Sequence, residues 1–196
     1  MTYILFGLNT AVFGIETIIG FSLHVYSTLW NWIWIGTDAH ALLIPMGALA
    51  PGNVVWEQPW RLLAFFFLHN GVLHYAMNMW ALLSFKRVEQ LFGSRNYCII
   101  YVLGGLASGL GALLTFLLLP GTPYVVGASG ALYAIATAEF TKELRDRPAP
   151  SWYGWVLIVL VWMLFVCLGN PFGHISGAIV GALIGFFFLQ RMLHRG

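Results

Sequence analysis

Long apolar stretches recur along this chain, separated by segments that hold most of its charge. Six of them, residues 3–23, 72–91, 97–119, 125–140, 153–168 and 174–192, match or approach the roughly 20 residues a helix needs to cross the hydrocarbon core of a bilayer. The fourth and fifth are the shortest. Only 8% of the residues are charged, whereas a soluble domain of this size carries about 25%, because its surface must be solvated. The solvent for most of this surface is therefore expected to be lipid. Backbone groups in lipid must find partners within their own segment, so apolar stretches of this length read as helices. The expected fold is an all-α polytopic membrane protein, a six-transmembrane-helix bundle forming one domain over residues 1–196.

Residues 24–71, between the first and second stretches, are too rich in Trp, Pro and polar side chains for an ordinary span. Trp30, Trp32, Trp34, Trp56 and Trp60 suit the headgroup level, where amphipathic rings collect, so a long interfacial loop is expected there. The first stretch lacks a basic start and a small-x-small cleavage pattern, and is expected to remain as a span and not to be removed as a signal peptide. Cations set the orientation. Lys86, Arg87 and Arg95 surround the junction of spans two and three, Lys142, Arg145 and Arg147 follow span four, and Arg191 and Arg195 lie near the C-terminus. The positive-inside rule then puts both termini on the cytoplasmic side, as in a prokaryotic inner membrane, and the Trp-rich loop outside, with Arg61 the sole outer cation. A net charge of +2, confined to a few loops, gives no basic face for nucleic acid. Cys98 and Cys167 lie in apolar runs without metal-type spacing and read as core residues.

Polar side chains inside spans cost free energy unless partnered, which makes them the functional candidates. They are Glu16, His74, Asn78, Glu89, Ser129, Tyr133, Glu139 and His174, with His69 just before span two. His74 and Asn78 are four residues apart and share a helix face, as do Ser129 and Tyr133. Ser129 lies in Gly127-Ala128-Ser129-Gly130, where missing side chains expose the hydroxyl. His174 begins a stripe, Gly173, Gly177, Gly181 and Gly185, that lets another helix approach closely. The expected topology brings these groups to one depth in the outer half of the bilayer. Each also has an ordinary structural reading: a serine that packs among glycines, an interfacial histidine, an His/Asn pair that joins helices. Their convergence favours acyl transfer, which needs a hydroxyl, a base and donors for a developing oxyanion. A zincin-type site needs HExxH, and no His here precedes a Glu. An aspartyl site needs two apposed carboxylates, but Asp38 and Asp146 fall in loops on opposite sides. Ser176, two residues from His174, points to another face.

The ordered combination of Trp60 and Arg61, His69, His74 and Asn78, Gly127 to Gly130 with Tyr133, and His174-Ile175-Ser176-Gly177 with Gly181 resembles the rhomboid family of intramembrane serine proteases over the whole chain. The resemblance implies a Ser129 and His174 dyad without a carboxylate, with Tyr133 packed beside the histidine and Gly127, Gly130 and Gly177 in support. It implies an oxyanion hole from the Ser129 N–H, His74 and Asn78. No cofactor or metal is implied. The partners would be the lipid bilayer and membrane proteins whose transmembrane helices are cleaved near the outer leaflet, under a cover formed by span five and residues 169–172. Two departures stand out. The family's inner Glu-x-Arg motif reads Glu89-Gln90-Leu91, and Pro171-Phe172 precedes Gly173. Two other classes remain open on sequence: a silent relative that escorts membrane helices, although such relatives lack the Ser or His kept here, and a small transporter using Glu16.

Overall fold

The computed structural model describes residues 1–26, 28–34, 39–52, 57–122, 124–146 and 170–193. Stretch 153–168, Trp56 and Cys167 lie outside them. The described residues are helical apart from turns and one antiparallel bridge. Helix α1, Thr2–Ser22, has 21 residues, about 31 Å at the α-helical rise. Among the described residues that follow are short helices in place of a span: α2, Leu29–Trp34, α3, Ala39–Met46, and α4, Arg61–Ala64, which runs into a 3-10 turn, Phe65–Phe67. Arg61 ties this region together. Its guanidinium donates to the carbonyl of Ala48 (2.9 Å), the carbonyl of Ile44 and the side chain of Gln58, and it lies over the Trp60 ring.

Helix α5, Val72–Ser84, ends earlier than its apolar stretch. The chain turns at Phe85 and starts α6, Lys86–Leu118, which changes direction at Gly93, where φ is 78°. The expected boundary at residue 91 is therefore corrected to Phe85. Packing explains it, because Phe85, Val88 and Phe92 are all buried while Lys86, Arg87 and Gln90 stay exposed. Such an amphipathic segment of about two turns lies on the bundle and does not continue through it. At this corner the Glu89 carboxylate accepts from the Thr2 N–H and hydroxyl, both at 2.8 Å, and from the Ser94 hydroxyl. Thr2 and Ser94 thus serve where the sequence lacks the motif's arginine.

Helix α7, Ser129–Asp146, begins four residues later than expected. Val125 is held extended by a mutual pair of hydrogen bonds with Leu49, and Gly127, with φ +119°, turns the chain before Ser129. Helix α8, Pro171–Leu193, starts three residues earlier than expected. Proline suits the first helical position, whose N–H has no helical partner in any case, and Asn170 caps it. The side-chain oxygen of Asn170 accepts from the Gly173 N–H (3.1 Å) and from the Thr115 hydroxyl (2.6 Å), fastening the start of α8 to α6.

Helices α6, α7 and α8 pack on one another along lines of small residues. A Cβ on Gly177 would meet the carbonyl of Gly130, one on Gly181 the carbonyl of Ala134, and one on Gly185 the carbonyl of Ala138. The stripe of α8 thus runs along consecutive turns of α7, while Ile175, Ile179, Leu183 and Phe186 on the other side are exposed. Phe65, Phe66, Tyr97, Tyr101, Leu132 and Ile135 fill the core between these helices and the 3-10 turn. Cys98 is half-buried on α6, which corrects its reading as a core residue. Among the described residues α1 and α6 are long and apolar enough to cross a membrane, and Pro171–Phe187 is a shorter apolar stretch.

Candidate active site

Three of the helices bring the polar candidates to one corner. Ser129 is the first residue of α7, so its N–H is one of the four at a helix start without a helical partner, and it lies at the positive end of the helix dipole. The Ser129 hydroxyl is 2.7 Å from Nε2 of His174, in the second turn of α8. With Nε2 accepting, the neutral ring carries its hydrogen on Nδ1. That Nδ1 is buried and has no hydrogen-bond acceptor among the described residues, so no carboxylate there orients the ring. Orientation comes from packing. The Tyr133 ring lies 4.9 Å from the His174 ring, tilted by 35°, and the His174 N–H is bonded within α8 to the Asn170 carbonyl.

His74 and Asn78 approach from α5. Both face Gly127: a Cβ there would come 2.7 Å from Nε2 of His74 and 3.8 Å from Nδ2 of Asn78. Only glycine fits, by space and by its positive φ. The Asn70 N–H donates to Nδ1 of His74 at 3.2 Å, so the His74 hydrogen resides on Nε2 and is presented to this corner. Asn78 Nδ2 donates to the His74 carbonyl with one hydrogen (3.0 Å), leaving the second for another acceptor. Gly127 itself donates to the Phe65 carbonyl (2.9 Å), which joins the segment before Ser129 to the 3-10 turn. Gly130 lies against Ser108 of α6, where a Cβ would strike the serine side chain.

The structure thus brings together Ser129, His174, His74, Asn78, Tyr133, Gly127, Gly130 and Gly177. Ser176 is elsewhere, its hydroxyl donating to the Phe172 carbonyl (2.8 Å) beside Gly111. Glu139 is buried further along α7. Glu16 is fully enclosed against the His69 backbone. Among the described residues no cluster of His, Cys, Asp or Glu has the makings of a metal site. Sequence reasoning overlooked Asn170 and Thr115, although Asn followed by Pro is a readable helix start. It also missed the Asn70 N–H and Ser108, which no pattern in the sequence marks.

The described residues thus form a packed helical protein in which a serine hydroxyl meets a histidine ring at a helix start. The chain belongs to the rhomboid family: the rhomboid domain model matches residues 56–191. It is 35% identical over 155 residues to RHOMBOID-like protein 2 of Arabidopsis thaliana, covering 74% of this chain and 48% of that protein. To RHOMBOID-like protein 9, chloroplastic, of the same plant, it is 38% identical over 146 residues, 70% of this chain and 32% of that one. Rhomboid protease GluP of Bacillus subtilis (strain 168) is 29% identical over 161 residues, 81% of this chain and 31% of that protein. The chain spans about half the length, or less, of these curated relatives. Rhomboid proteins are generally intramembrane serine proteases.

Proposed function

We propose that this protein is an intramembrane serine endopeptidase that cleaves the transmembrane helices of membrane protein substrates near the outer leaflet. The observation that carries the reading is the 2.7 Å approach of the Ser129 hydroxyl to His174 Nε2 at the start of α7. In the proposed reaction the Ser129 oxygen attacks the scissile carbonyl carbon as its proton passes to His174 Nε2. The carbonyl oxygen becomes an oxyanion, met by the Ser129 N–H, the His74 Nε2–H and the free hydrogen of Asn78. The C–N bond then breaks, and His174 returns the proton to the departing amine. Water attacks the resulting ester under the same histidine, releasing the acid and restoring the serine.

Stretch 153–168 would supply the remaining span of a six-helix bundle and a movable cover, whereas residues 170–172, expected in that cover, instead form the capped start of α8. Both termini would lie on the cytoplasmic side, in keeping with the cations after spans two and four. Substrate segments with small or helix-breaking residues would be favoured, since a hydrogen-bonded helix shields its carbonyls. Purified wild-type protein should cleave a model transmembrane substrate, while Ser129→Ala and His174→Ala should not, with both variants folding like wild type. Ser176→Ala should retain activity. Wild-type turnover by Ser129→Ala would remove the nucleophile assignment.

A further inference from the structure

Glu16 carries a carboxyl group about two-thirds of the way along α1 with no exposed surface, an expensive placement that needs a partner. Both of its oxygens lie 3.2 Å from one donor, the His69 N–H. His69 is equally enclosed, and it occupies the turn that leads into α5, between extended Leu68 and Gly71 at φ +91°. Its own ring meets the Phe67 carbonyl through Nδ1 (3.1 Å) and packs edge-on against Phe13 and His74. The next residue along, Asn70, is the one whose N–H reaches His74 Nδ1. One peptide unit therefore separates the donor that Glu16 holds from the donor that sets the tautomer of His74.

We infer that Glu16 is a positioning residue for the reaction: by holding the His69 N–H it fixes the turn whose Asn70 N–H keeps His74 aimed, Nε2–H first, at the corner between Gly127 and Ser129. The inference rests on the reading of Ser129 and its oxyanion hole given above. A turn of this kind has no helix or sheet ladder to hold its N–H groups, so a side-chain acceptor from another helix decides its orientation. What Glu16 contributes is an acceptor of a given length at a given height on α1. A glutamine supplies the same acceptor, and a methionine of similar bulk does not.

The test is steady-state cleavage of a model transmembrane substrate by the full chain, with wild type, Glu16→Gln, Glu16→Met, His74→Ala and the Glu16→Met/His74→Ala double variant. Because His74 acts on charge that exists only in the transition state, Glu16→Met should lower kcat about tenfold with KM unchanged, and Glu16→Gln should stay within about twofold of wild type. With His74 already removed, Glu16→Met should produce no further fall, since its effect passes through that ring. An undiminished tenfold fall on the His74→Ala background, or wild-type kcat in Glu16→Met, overturns the inference. If Glu16→Met cannot be purified folded, Glu16→Gln decides: near wild-type kcat supports the acceptor role, and a tenfold loss overturns it. Ser129→Ala run alongside keeps two failures apart. Activity surviving there removes the nucleophile reading, whereas an inactive Ser129→Ala beside a fully active Glu16→Met removes only the role of Glu16.

Discussion

A side chain at position 127 would occupy the space into which His74 and Asn78 point, so these two and the start of α7 form one compact corner. For Asn78 two roles make different forecasts. A residue that merely joins membrane helices contributes about 0.6 kcal/mol, and its loss should lower the unfolding temperature slightly and leave turnover alone. A donor aimed at developing charge is worth about 10² to 10³ in kcat, or roughly 2.7 to 4 kcal/mol, with little effect on folding. The geometry favours the donor, since one amide hydrogen is already used within α5 and the other remains for the site. Three donors can partly cover for one another, so Asn78→Ala alone should show a reduced loss and Asn78→Ala with His74→Ala should be nearly inactive. Measuring kcat beside the unfolding temperature in one detergent checks this. A double variant with near wild-type kcat would dissolve the oxyanion assignment while leaving Ser129 in place.

Between elements, what brings Ser129 and His174 together is the closeness of α7 and α8. Their backbones touch along the glycine stripe, and the Thr137 hydroxyl donates across the seam to the Ala178 carbonyl at 2.8 Å. A backbone carbonyl cannot swing aside for a side chain, so Gly177→Val should wedge the helices apart just where Ser129 must reach His174. A displacement of about 1 Å between reacting groups can cost on the order of 10² in rate. Gly177→Val should therefore lose at least about that factor in kcat. Ile179→Ala, on the exposed side of the same helix, should stay within about twofold, as surface changes do. Equal effects of the two substitutions would mean that the seam does not set the dyad distance. The cap of Asn170 and its bond to Thr115 hold the axial position of α8 at the same end.

For the molecule as a whole, the cation distribution is the ground for orientation, because Lys and Arg in short loops are retained on the cytoplasmic side. Cysteines introduced at Thr37 and at Asp146, in a variant without Cys98 and Cys167, should react with an impermeant thiol reagent from opposite faces of the membrane. Labelling of both from one face would overturn the topology, and the common outer depth of the catalytic groups would go with it. The rhomboid domain match covers both the α5 donors and the α8 base, so the whole site lies within the part of the chain held in common with the family.

The helical, apolar character of the chain was legible in the sequence because it rests on short-range facts. Apolar length is a local property, and four-residue spacings such as His74 with Asn78 or Ser129 with Tyr133 survive into the structure on single helix faces. The glycines of α8 could be read as a seam for the same reason. Helix boundaries at Phe85, Ser129 and Pro171 were not legible from hydropathy, since what ended or began those helices was burial of Phe85 and Val88, the pairing of Val125 with Leu49, and a cap shared with Thr115. The same holds for the setting of His74. Its tautomer depends on a backbone N–H, that N–H on a turn, and the turn is held by Glu16 from a helix 53 residues away in sequence. Sequence alone determined which polar groups stand among apolar residues and at what spacing. Their aim was decided by backbone donors and acceptors, which every residue carries and which only tertiary packing can select.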